Sequence, residues 1–184
     1  MQELSFRQRL WRSLPAIAIA LVLAVLWKSL LFKDQPMAKE HAERSFPTFH
    51  LTDEKSHKAM TNQDLLGKTH VVHVWASWCG ICIKENDLLV AFKEKHPVSL
   101  VGVIYRDDPA KAKKILARKG DPFDYLLNDK GGKLGGALAI LGTPETYVVD
   151  PKGMIRYHKS GALDHNAIQH HLIPVLDQIA RENA

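Results

Sequence analysis

The chain of 184 residues has two cysteines, Cys79 and Cys82, within the segment Trp78-Cys79-Gly80-Ile81-Cys82. A disulfide over so short a loop removes little chain entropy, so a structural staple explains the pair poorly. Two thiolates also fall short of the four ligands of a structural zinc site. Dithiol–disulfide exchange is the chemistry that fits. A Val-rich run at 70–75 predicts a buried strand just before the pair. Ile81, Leu88, Leu89 and Phe92 at helical spacing predict a helix over 80–95 just after it. Both sulfurs then lie at a helix start, where unpaired N–H groups and the helix dipole favour a thiolate. Cys79, nearest the positive end, is the expected nucleophile. Cys82, one turn inside, is expected to attack Cys79 in a mixed disulfide and release the substrate thiol.

The elements that must hold this turn follow from periodicity and breakers. Residues 46–51 alternate apolar and polar, with Pro47 near the start, and predict an edge strand. A short helix is expected over 61–66, ended by Gly67. His96-Pro97 stops the helix that carries the cysteines, and 98–105 is a second β-branched run. Asp108-Pro109 opens a helix that Gly120 ends. A short strand at 125–127 and a glycine-rich connection around a short helix come next. Strands at 146–149 and 154–158 flank the turn Asp150-Pro151-Lys152-Gly153. Asp164 caps a last helix towards Arg181, with Pro174 expected to kink it. The order β-α-β-α-β, then β-β-α, predicts an α/β domain with a central mixed sheet flanked by helices.

Ahead of this domain, residues 14–27 carry no charge, and 10–32 are long enough to cross a bilayer. Lys28 can snorkel, and Trp11 and Trp27 lie near the two interfaces. Arg7, Arg9 and Arg12 before the run put the N-terminus in the cytoplasm. The alternative, a cleaved signal peptide, lacks a small-x-small site just after the apolar run. The chain therefore reads as a cytoplasmic N-terminus (1–12), a transmembrane anchor (13–33), a tether (34–45) and an exported domain (46–184). All but one unit of the formal net charge of +5 belongs to residues 1–33, so a nucleic-acid partner is not expected.

The segment His-Val-Trp-Ala-Ser-Trp-Cys-Gly-Ile-Cys (73–82) resembles the active-site strand and turn of thioredoxin-like proteins. Gly-Val-Ile-Tyr-Arg-Asp-Asp (102–108), Gly-Thr-Pro-Glu-Thr-Tyr-Val-Val-Asp (142–150) and Gly-Met-Ile-Arg-Tyr-His-Lys-Ser-Gly (153–161) resemble the cytochrome c biogenesis thiol:disulfide interchange proteins of the CcmG/DsbE family. The resemblance runs from Phe46 to the C-terminus. It implies a thioredoxin-like fold on a single-pass anchor in a bacterial inner membrane, with the catalytic domain in the periplasm. It also implies reduction of the heme-binding cysteines of apocytochrome c, or of a maturation partner holding them. Electrons would come from a membrane donor of the DsbD/CcdA type.

The same resemblance singles out further residues. Thr143-Pro144 matches the position of the fold's cis-proline, which would set the Thr143 backbone beside the disulfide. Trp78 would rim the groove. Glu85 and Glu145 match acidic positions near the site, where each could tune a thiol or accept a proton; alone, each would read as a solvated carboxylate. Gly80-Ile81 departs from the proline-containing pair more usual in the family and puts the redox poise in doubt. His73 stands where thioredoxins carry a buried acid and this family usually a neutral residue. It is either a proton relay for Cys82 or, the favoured reading, a buried neutral imidazole with a satisfied hydrogen bond. No cofactor beyond the Cys79–Cys82 disulfide, no metal and a monomer are expected. A broad-specificity periplasmic reductase or isomerase is the first alternative. A membrane-tethered copper chaperone using Cys79, Cys82 and His158 is a more distant one.

Overall fold

A computed structural model of the chain describes residues 44–183, together with Ile19 and residues 21–23. The expected cytoplasmic stretch, the anchor and all but the end of the tether lie outside the described residues. Among the described residues no helix is long and apolar enough to cross a membrane. The tether's last two residues already join the domain. Arg44 donates to the Leu138 carbonyl at 3.2 Å, and Ser45 forms an isolated bridge with Met154.

Seven strands form one mixed sheet: β1 (His50–Asp53), β2 (Ala59–Thr61), β3 (His70–Trp75), β4 (Ser99–Tyr105), β5 (Tyr125–Asp129), β6 (Glu145–Val149) and β7 (Ile155–Ser160). Their order is β2-β1-β5-β4-β3-β6-β7. β3, β4 and β5 run parallel, and the outer pairs are antiparallel. The helices are α1 (Gly80–Lys95), α2 (Pro109–Lys119), α3 (Lys133–Ala137), α4 (His165–Ala167) and α5 (Ile173–Glu182). Such buried parallel strands read as continuous apolar runs, and β3 has no exposed residue.

The alternation of β3 divides the core in two. Val71 and Trp75 pack with Cys79, Cys82, Leu89 and Phe92 on the α1 side. Val72 and Val74 pack with Phe46, Tyr147 and Ile155 on the other. Each such valine stabilises the fold by about 1.5–3 kcal/mol. Gly102 on β4 pairs with His73 and leaves room for the Phe123 ring; a Cβ there would meet Phe123 Cγ at 2.8 Å.

Two expectations need correction, and one strand was missed. The first strand is not an edge strand over 46–51 but β1, His50–Asp53, which lies inside the sheet between β2 and β5. Phe46 and Phe49, three residues apart, are instead buried from a coil, where they contact each other edge to face. The three-residue strand β2 was not expected; it has too few residues to show a period. The last helix is not simply kinked at Pro174. Residues Ile168–Leu172 form a π-turn, and Pro174 then sits in the first turn of α5. A π-turn absorbs the proline's missing donor without breaking the helix.

Candidate active site

The site lies at the carboxyl ends of the parallel strands. β3 ends at Trp75, and Cys79 is the N-cap of α1. Its sulfur accepts a hydrogen bond from the Cys82 N–H at 3.1 Å. The cysteines form a disulfide with their Cα atoms 5.3 Å apart. The loop after β4 clamps this turn. Asp107 Oδ2 accepts from the Ser77 N–H at 2.5 Å, and its Oδ1 accepts from the Asp108 N–H at 2.7 Å. The Trp78 indole N–H donates to the Arg106 carbonyl at 3.4 Å, and Arg106 holds a left-handed backbone with φ 48°.

A third loop closes the site. The Thr143–Pro144 bond is cis, and the Thr143 carbonyl oxygen lies 3.6 Å from Cys79 Sγ. Cys79 is only 6% exposed, and Cys82 only 2%. Trp78 and Ile81, next to the cysteines in the chain, are exposed apolar side chains, as is Leu141 two residues before Thr143. The disulfide is thus recessed within an apolar rim, beside a backbone acceptor. A cleft of about 890 Å³ lies elsewhere, lined by Lys68, Lys93, Ser99, Asp124 and Leu176 near the amino ends of the parallel strands.

On the α1 side of the sheet are His73, on β3, and Glu85, three residues after Cys82 on α1. Both are buried, and His73 Nε2 lies 3.2 Å from Glu85 Oε1. Neither atom has an aligned hydrogen-bond partner among the described residues. His73 Nδ1 is 3.0 Å from Thr146 Oγ1, and Glu85 Oε2 accepts from the Leu163 N–H at 2.7 Å. Phe123 stacks on both His73 and Trp75, with centroids 6.3 and 5.9 Å away.

Glu145 is separated from this group. It pairs with Val74, so it projects from the opposite sheet face. There Oε2 lies 2.5 Å from His158 Nε2, and Oε1 accepts from Ser160 Oγ at 2.8 Å. Of the two expected acids, only Glu85 shares a sheet face with Cys82. His158 pairs with Tyr147 and stacks on its ring at 4.4 Å, on that same far face. It is therefore not assembled with Cys79 and Cys82 as a third soft ligand. No group of three His, Cys, Asp or Glu side chains clusters for a metal among the described residues.

Sequence reasoning missed Asp107, Arg106, Leu141 and Thr146. Asp107 left one signal: it lies in the stretch 102–108 that carries the family resemblance. Thr146 left none, because its role depends on the register that sets it opposite His73.

Comparison with known proteins gives one consistent result. The Redoxin family matches residues 41–171. A thiol:disulfide interchange protein DsbE from Pseudomonas fluorescens is 36% identical over 84% of this chain and 86% of its own length. DsbE of Escherichia coli is 31% identical over 91% of this chain and 94% of its own. Among solved structures, a DsbE-type thiol:disulfide interchange protein from Chlorobium tepidum superposes with a TM-score of 0.65 at 20% identity, covering 75% of this chain and 96% of its own. The structural likeness supports a thioredoxin-like fold.

Proposed function

Since the chain belongs to the DsbE family of thiol:disulfide interchange proteins, and is accordingly a thiol:disulfide oxidoreductase, we propose that it reduces the disulfide of an extended protein segment, that of apocytochrome c heme-binding cysteines or of a carrier holding them. The observation that carries this reading is the recessed Cys79 sulfur with the Thr143 carbonyl 3.6 Å away. An extended peptide can pair with that carbonyl by strand addition and bring its own sulfur to Cys79. The exposed Trp78, Ile81 and Leu141 supply apolar contact on either side. A small-molecule substrate would favour an enclosed pocket.

In the reduced protein the Cys79 thiolate attacks one sulfur of the substrate disulfide. The substrate S–S bond breaks, and a Cys79–substrate bond forms. The Cys82 thiolate then attacks Cys79 Sγ, the mixed disulfide breaks, and the second substrate sulfur leaves as a thiolate. Two electrons pass to the substrate, and Cys79 and Cys82 end as the disulfide. The Cys82 N–H on Cys79 Sγ, 3.1 Å away, and the α1 dipole favour the Cys79 thiolate.

The apolar run at 13–33 anchors this domain to the inner membrane in the same reading, with the domain in the periplasm as a monomer. A membrane donor of the DsbD/CcdA type regenerates its dithiol. The test is to express full-length Cys82→Ser protein and identify what it traps through Cys79. Recovery of apocytochrome c or a maturation partner supports the reading. A spread of unrelated periplasmic proteins would replace it with a broad-specificity reductase.

A further inference from the structure

We propose that Arg106 selects the substrate: its guanidinium takes a carboxylate beside the reacting cysteine, so that disulfides flanked by Asp or Glu are reduced in preference to those flanked by Lys. The proposal deepens the reading of an extended protein segment as substrate and rests on it.

Arg106 follows the last residue of β4, the strand next to β3. Its carbonyl accepts the indole N–H of Trp78, the residue before Cys79. It therefore stands at the edge of the redox turn. A segment that approaches Cys79 past Trp78 meets Arg106 as well.

A surface arginine ordinarily keeps much of its rotamer freedom. This one is held in three ways. Its φ of 48° is left-handed, a conformation that non-glycine residues rarely adopt and that clusters at functional sites. Its Cζ lies 5.3 Å from the centroid of the Tyr105 ring, which seats the cation on an aromatic face. Its stem lies against Gly132, where φ is 68° and any Cβ would collide with Arg106 Nε and crowd Cγ. The residue is nevertheless exposed.

The guanidinium has no ion-pair or hydrogen-bond partner among the described residues. The neighbouring acids are turned onto backbone donors instead. Asp107 holds the N–H groups of Ser77 and Asp108, and Asp129 holds those of Leu134 and Gly135. Asp108 caps the Ala110 N–H. Lys133, beyond Gly132, is exposed and carries the same sign as Arg106. A planar guanidinium offers paired donors that match a carboxylate. Tyr105 and Gly132 hold it in advance, so little side-chain freedom is lost on binding. A lysine-flanked segment would meet like charge at the same point.

The experiment uses the reduced full-length protein and three synthetic peptides, each closed by one Cys-x-x-Cys disulfide. They differ only in the residues on either side of the disulfide, which are all Glu, all Gln or all Lys. Oxidation of the protein is followed by mass after acid quenching. Each second-order rate is divided by that of the same peptide with dithiothreitol, which removes differences in intrinsic disulfide reactivity. Wild type is expected to favour the Glu peptide over the Lys peptide at least about fivefold, with Gln between. In Arg106→Gln that ratio should fall below about twofold. A loosened Trp78 would slow all three peptides alike and leave the ratio standing. Lys133→Gln removes the same unit of charge nearby and should keep the ratio. A ratio near one in wild type, or a ratio retained in Arg106→Gln, would overturn the proposal. An equal loss in Lys133→Gln would overturn it too, because the preference would then belong to the general field of the surface. A wild-type protein oxidised by none of the peptides would instead remove the extended-segment reading beneath it.

Discussion

The sheet carries a carboxylate–imidazole pair on each face, and the two are built differently. On the far face, Glu145 and His158 project from neighbouring strands, and the carboxylate is held by both His158 and Ser160. On the α1 face, Glu85 reaches from a helix to His73 on a strand, at ion-pair distance but out of hydrogen-bond alignment. The first pair is a cross-strand brace; each bond fixes a strand edge. The second leaves one buried atom of each partner without an aligned hydrogen bond among the described residues. Residue types alone do not separate the two. Alignment, and the element each partner stands on, do.

The largest effect should come from the α1 face. Cys79→Ser is expected to abolish disulfide exchange, and Cys82→Ser to keep the attack but accumulate mixed disulfide, visible by intact mass. Normal turnover by Cys82→Ser would reverse the assigned roles. Gly102→Ala is next. Its Cβ would press on Phe123, the ring that stacks on His73. Overpacking should cost about 1–3 kcal/mol, read in urea unfolding.

On the far face, Glu145→Gln should cost only about 0.5–1.5 kcal/mol and leave the rate of disulfide exchange untouched. A slowed exchange in that variant would erase the contrast between the faces. The smallest effect concerns Asp53. Burial alone would push its carboxyl up, but hydrogen bonds from Ser56, Leu126 and Lys55 outweigh this and hold it below its ordinary 3.8. Its folded-state value is depressed, so its stabilisation is present above the unfolded value and lost as pH falls through the folded one. Acid unfolding below about pH 4 should weaken in Asp53→Asn, measured by circular dichroism, with both faces lost together.

The centre of the domain was legible in the sequence, and its edges were not. β3 and α1 have the expected bounds, because a doubly buried strand and a helix with a cysteine N-cap leave strong local patterns. The first strand was displaced and its edge position lost, because Phe46 and Phe49 fill the core from a coil and β2 takes the edge. The redox pair was legible because its chemistry lies within one turn of helix. The neighbourhood of His73 was not. Its partners are Glu85, twelve residues away on another element, and Thr146, more than seventy residues away. A histidine among the valines of a buried strand signals only that some partner exists. The separation of Glu145 from Glu85 was equally hidden, since it follows from the parity of the β3–β6 register.

The recess of Cys79 has a consequence for what this protein leaves alone. An incoming sulfur must approach along the S–S axis, past Trp78 and against the Thr143 carbonyl. A loose, unfinished chain can thread that gap. A disulfide clasped inside a completed globule is too broad to enter. If the protein reduces extended segments as proposed, the depth of one sulfur would work as a gauge of maturity, opening the bonds of chains still under assembly and sparing the finished ones beside them.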